Sequence, residues 1–184
     1  MNVFFETAGR LDFYKDIKNC LIKGYTPAAV TGVSGIHKAM LTAALSSLGS
    51  CLLICADEAD ATKMTADINE MAGEQIACVY PAKDMNFAYM EGISREYEQR
   101  RIAALSDIVS GRCRIMAASM EACLQGTIPP AALREYTFTI ENGGELDIAE
   151  LQKRLLAAGY TRTDQVEGAA QFAVRGSIVD IFPV

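Results

Sequence analysis

The sequence predicts an α/β fold: a doubly wound parallel sheet, followed by part of a smaller α+β unit. Three observations carry this. Short apolar runs at 51–55, 76–80 and 112–117 alternate with longer segments of helical periodicity, the pattern of repeated βα units. A glycine turn links a short apolar stretch to a helix at 32–36, as in phosphate-loop folds. The segment Gln125-Gly-Thr-Ile-Pro-Pro130 then breaks the pattern, and the remaining residues have a different periodicity.

In chain order, Leu11, Tyr14, Ile17 and Leu21 recur at helical spacing, with Gly24 as the stop. Pro27–Gly32 is expected to be a short strand. Residues 36–48 read as a helix closed by Gly49. Cys51–Cys55 is uniformly apolar, which predicts a strand buried on both faces. Residues 58–72 are helical, Ile76–Tyr80 is a strand ended by Pro81, and 82–93 is a loop. Ser94 is expected to cap a helix reaching about Ser110, before the strand Arg112–Ala117. This places a first domain at 1–128. In the second, at 129–184, Tyr136–Ile140 alternates like a strand and Asn142-Gly-Gly144 marks a turn. Residues 147–158 form an amphipathic helix, and strands 171–174 and 177–182 join through Arg175-Gly176. A terminal strand without later neighbours suggests a piece of a longer protein.

About half of the 184 residues are apolar and 22% are charged, the balance of a globular protein. The single histidine, His37, excludes histidine-rich zinc sites, and no metal site is expected. Six cysteines without a CxxC pair, mostly in apolar runs, read as free buried thiols suited to a reducing cytoplasm. The start lacks a basic, then apolar, leader, and no run approaches the ~18 apolar residues of a membrane span. A net charge of −6 disfavours nucleic acid as the main partner of this segment. One local cluster (Arg95, Arg100, Arg101, Arg112, Arg114) runs against that trend.

The most informative motif spans Gly32, Gly35, His37, Lys38 and Ala39. A working phosphate loop reads G-x-x-x-x-G-K-[ST]: glycine lets backbone amides wrap the phosphates, lysine neutralises charge, and the hydroxyl holds Mg²⁺. Here His37 stands at the second glycine and Ala39 at the hydroxyl. The expectation is a loop that has lost nucleotide use but offers a small anion, sulfate or phosphate, a weak seat at a helix N-terminus. Asp57-Glu-Ala-Asp60 spells a helicase-like string, yet it lies only one βα unit after the loop. It reads better as a helix start, with Asp57 as N-cap. No Ser-His-Asp set and no G-x-G-x-x-G are present, and no catalytic residue is assigned.

Three segments resemble the UvrB-like N-terminal module of bacterial transcription-repair coupling factors. They are the degenerate loop at 30–35; Ser94–Leu105 with the stretch leading to Pro129-Pro130; and Leu155–Tyr160, Asp164–Val166 and the closing Phe172–Pro183. The resemblance covers nearly the whole chain. UvrB itself is similar but carries an intact phosphate loop and a tyrosine-rich hairpin, for which 82–93 is too short. The alternative it leaves is a UvrB-type helicase fragment with a working ATPase site. The resemblance implies a non-catalytic scaffold for nucleotide excision repair that recruits UvrA through arginines of the small domain. By position these are Arg162 and Arg175, with Phe172 a third candidate. It further implies that ATP, Mg²⁺, DNA and RNA polymerase are engaged by other parts of a longer cytoplasmic protein, and that this segment needs no cofactor.

Overall fold

The computed structural model describes residues 3–83 and 96–184, the side chains of 3–6 excepted. The expected loop 82–93 and the expected cap Ser94 fall largely outside them, as does Arg95. By their internal contacts the residues divide into two units, Met1–Glu91 with Ala104–Gln125, and Gly92–Ala103 with Gly126–Val184.

In the first unit, α1 (Val3–Arg10) and α2 (Asp12–Ile22) lead to α3 (Gly35–Leu45) and a 3-10 turn at Ser46–Leu48. The strands β1 (Cys51–Cys55), β2 (Ala77–Tyr80) and β3 (Ile115–Ser119) form a parallel sheet in the order β1-β3-β2. Register runs Cys51 opposite Ile115 and Ala77 opposite Ile115, so β3 is central. Accordingly every β3 residue is buried. One face packs on α3 and α4 (Glu58–Ala72) through Ala39, Ala43, Ala61, Met64 and Ile68. The other face packs on residues from Ala104 of α5 (Glu96–Val109) and on α6 (Met120–Leu124), through Ala104, Leu105, Ile108 and Ala122. Helices on both faces make the sheet doubly wound, as the alternating pattern predicts.

Local chemistry sets the element ends. Asp57 caps α4 by accepting from the Asp60 N–H at 2.7 Å, and Gly73 ends it at φ +69, a left-handed conformation natural to glycine. The helicase-like string is thus the first turn of a helix. Asn69 ties α4 to β2: its Oδ1 accepts from Ile76 N and Ala77 N, both at 2.9 Å, and its Nδ2 donates to Ala77 O at 3.0 Å.

Three expectations are corrected. Pro27–Gly32 is not a strand but exposed, unpaired chain. Proline lacks a ladder donor, and no strand lies beside the segment to fix it. Tyr136 ends α7 (Pro130–Tyr136), and 137–140 is irregular. That segment is anchored by a side chain instead: Phe138 packs into the local core, with the Arg154 guanidinium 4.2 Å from its ring centre. Third, β1 is not buried on both faces: Leu52 is 57% exposed and Ile54 50% exposed.

In the second unit, α8 (Ile148–Ala157) is capped by Asp147, which accepts from Ala149 N and Glu150 N. It buries Leu151 and Leu155 against a three-stranded sheet ordered β4 (Thr161–Arg162), β5 (Gln171–Arg175), β6 (Ile178–Phe182). β4 runs parallel to β5, whereas β5 and β6 form the predicted antiparallel hairpin, with Gly176 at φ +64 in its turn. Among the described residues no helix is long and apolar enough to cross a membrane.

Candidate functional site

The phosphate-loop remnant has a definite geometry. Gly32 sits at φ +75, so the turn requires glycine there. Ser34 is the N-cap position of α3, and helical hydrogen bonding begins at once, with Lys38 N donating to Ser34 O at 2.9 Å. Only Val33 and Ser34 separate the glycine turn from the helix, where a phosphate cradle needs four residues and a further glycine before its helix. His37 therefore lies inside the first helical turn, its Nδ1 2.7 Å from Ser34 Oγ. Gly35 is the first helical residue, and a Cβ there would meet nothing within 4 Å.

Lys38 is exposed, whereas Ala39 is fully buried between α3 and α4. Position 39 faces the core, so a hydroxyl there would point into packing rather than at a bound ion. The five residues do adjoin one another, but as a turn and a helix start.

Four of the cysteines are held in the protonated form. Burial pushes the Cys78 thiol up to about 12, reinforced by Cys113 and Asp107. Cys113, Cys55 and Cys51 are also raised, burial being the main cause for each. A reactive thiol needs the opposite shift.

In the small unit the three singled-out residues do not form one cluster. Phe172 is 0% exposed and packs with Leu151 and Leu155, so it is a core residue and not a surface contact. Arg162 is exposed on β4, in register with Phe172, and has no ion-pair partner among the described residues. Arg175 lies three residues beyond Phe172 on β5, so strand alternation turns it to the opposite face of the sheet. It pairs with Asp180 Oδ2 at 2.5 Å, a diagonal cross-strand pair exposed on both sides.

The residues sharing the Arg175 face were missed from sequence. Arg175 is opposite Ile178, Ala173 opposite Asp180, and Gln171 opposite Phe182. Ile178 and Phe182 are 58% and 49% exposed. Arg175 beside an exposed aliphatic side chain, with an exposed aromatic further along the same face, has the composition of an interface. Alternation along β6 held the signal, since Val179 and Ile181 pack inward and leave Ile178 and Phe182 outward.

The sequence model of the UvrB interaction domain matches residues 138–184. The transcription-repair-coupling factor of Bacillus subtilis is 26% identical over 94% of this chain, and that of Staphylococcus aureus 24% over 88%. The UvrABC system protein B of Treponema denticola is 30% identical over 56%. The chain spans about 15% of the length of each of these relatives. Residues 138–184 therefore match the UvrB interaction domain, on a chain similar over nearly its whole length to part of a transcription-repair-coupling factor.

Proposed function

We propose that this chain is the recruiting module of a transcription-repair coupling factor, with UvrA as the partner of its small unit. The observation that carries this is the match of 138–184 to the UvrB interaction domain, in the unit that exposes Arg175, Ile178 and Phe182. An arginine fork suits carboxylates on a partner, and the exposed apolar side chains of the same face supply area removed from water. The α/β unit acts as a scaffold without nucleotide chemistry, since α3 begins at Gly35 and positions 37 and 39 carry histidine and a buried alanine. ATP-driven movement on DNA and engagement of RNA polymerase belong, on this reading, to other parts of a longer protein.

The test is calorimetric titration of the chain into purified UvrA. Saturable binding is expected. Arg175→Glu and Phe182→Ala each weaken it at least tenfold, which is about 1.4 kcal/mol. Arg162→Glu, on the other face, has a smaller effect than Arg175→Glu. Absence of binding by the folded chain refutes the partner, and unchanged affinity in Arg175→Glu with Phe182→Ala refutes the surface.

A further inference from the structure

The loop between α7 and α8 carries its own chemistry, whatever partner the small unit takes. Its ends are fixed: Phe138 packs into the local core, and Asp147 caps α8. Between them every residue from 139 to 147 is exposed, the cap itself included. Asn142 and Gly143 occupy a tight turn at the middle, closed by Gly144 N donating to Glu141 O at 3.3 Å. Gly143 sits at φ +80, and a Cβ there would meet nothing within 4 Å. Among the described residues, neither the Asn142 side chain nor the Gly143 N–H has a hydrogen-bond partner.

An asparagine Cγ and the amide nitrogen of the next residue are placed to close a five-membered ring. Closure is ordinarily blocked by a committed main chain or by a following side chain that crowds the nitrogen. Glycine removes the crowding and frees the backbone to rotate. The other described asparagines are protected. Asn19 lies in α2, where the next N–H bonds to the carbonyl four residues back. Asn69 lies in α4, and three hydrogen bonds hold its side-chain amide. Asn142 has neither protection.

We propose that Asn142 is a self-modification site, which passes through a cyclic imide with Gly143 to aspartate and isoaspartate. The Gly143 nitrogen attacks Asn142 Cγ. The N–Cγ bond forms, the Cγ–Nδ2 bond breaks, and ammonia leaves with the proton of the Gly143 amide. Water then opens the imide. Addition at Cγ gives aspartate, whereas addition at the main-chain carbonyl carbon of residue 142 gives isoaspartate, whose chain runs on through Cβ and Cγ. Water is consumed and ammonia released, with no change of oxidation state.

The peptide between 142 and 143 must rotate to bring the nitrogen to Cγ. Among the described residues only the 3.3 Å turn bond resists this, at the long end of its class. Phe138 and Asp147 still anchor the loop, so the small unit accommodates the extra main-chain carbon of isoaspartate. The product sets a new carboxylate between Glu141 and Glu145 and adds one negative charge to the formal −6.

The full 184-residue chain is held folded at physiological temperature and mildly alkaline pH, then digested with trypsin beside a sample digested at once. Peptide 135–153, in which Asn142 is the one asparagine, is expected to gain the mass difference between an amide and an acid. Conversion there should be at least about tenfold faster than in the peptides carrying Asn19 or Asn69. Isoaspartate is read by its acceptance of a methyl group from S-adenosylmethionine in the presence of an isoaspartyl carboxyl methyltransferase. Asn142→Ser is expected to abolish both signals. Gly143→Asp keeps a residue that tolerates the left-handed backbone but crowds the nitrogen, and should slow conversion at least about fivefold.

An unchanged mass for peptide 135–153 overturns the proposal. So does equal conversion at Asn19 and Asn69, or the same mass gain in Asn142→Ser. Aspartate without isoaspartate overturns the imide route. A Gly143→Asp chain that reacts as fast as the parent overturns attack by the Gly143 nitrogen, and the proposal with it.

Discussion

Restoring the phosphate-loop consensus should damage this protein without giving it a nucleotide site. The double variant His37→Gly with Ala39→Thr rebuilds G-x-x-x-x-G-K-T in sequence. In the structure, position 37 is in the first turn of α3, and glycine there costs about 0.5 kcal/mol against histidine. The Ser34–His37 side-chain hydrogen bond is also lost, at about 0.5–1 kcal/mol for an exposed pair. Position 39 has no exposed surface and packs beside Ala43 and Ala61. Threonine adds two heavy atoms there, and such overpacking costs about 1–3 kcal/mol. Its hydroxyl is able to bond back to the Gly35 carbonyl, so no orphaned polar group adds to this. The expected loss is about 2–4 kcal/mol, read as a lowered urea midpoint at constant slope. Calorimetry with Mg-ATP should show no saturable binding at about 1 mM. An unchanged midpoint, or binding in the micromolar range, would refute the reasoning that position 39 belongs to the core.

Three further outcomes are expected. Phe172→Ala should destabilise the small unit by about 3–5 kcal/mol, while Arg175→Ala changes it by under about 1 kcal/mol; urea titration with tyrosine fluorescence distinguishes them. Asn69→Ala removes an acceptor from the buried Ala77 N and leaves Ile76 N with Glu74 O alone at 3.1 Å, and should cost about 1–3 kcal/mol by the same assay. The folded-state value of Cys78 is raised from 9.0 to about 12, so the unfolded thiol ionises first. Its contribution is complete below pH 9 and is lost as pH rises toward about 12. Cys78→Ala should therefore flatten the fall in thermal midpoint over that window, and an unchanged slope would count against the assignment.

The elements most legible in sequence were those whose ends carry their own chemistry. α4 was readable to the residue because Asp57 and Gly73 both signal locally. The β5–β6 hairpin was readable from its alternation and its Arg175-Gly176 turn. The Pro27–Gly32 stretch looked like a strand because apolar residues precede a glycine, but a strand exists only where a neighbour offers a ladder. Tyr136–Ile140 failed for the same reason. Of the candidate site, Arg175 was legible as an exposed residue beside a turn glycine. Phe172 was not separable from a surface aromatic until α8 was seen lying on it.

By itself, then, the sequence determined the βα alternation, the helix caps, the charge balance and the mismatch of His37 and Ala39 with a phosphate-loop consensus. Those properties depend on neighbours within a few positions. Tertiary structure alone decided that Ala39 faces the core and that Arg162 and Arg175 leave opposite faces of one sheet. It also decided that Ile178 and Phe182 stand exposed on the same face as Arg175. Each of these depends on which distant segment packs against which face, and a strand's period of two residues fixes only that its faces differ.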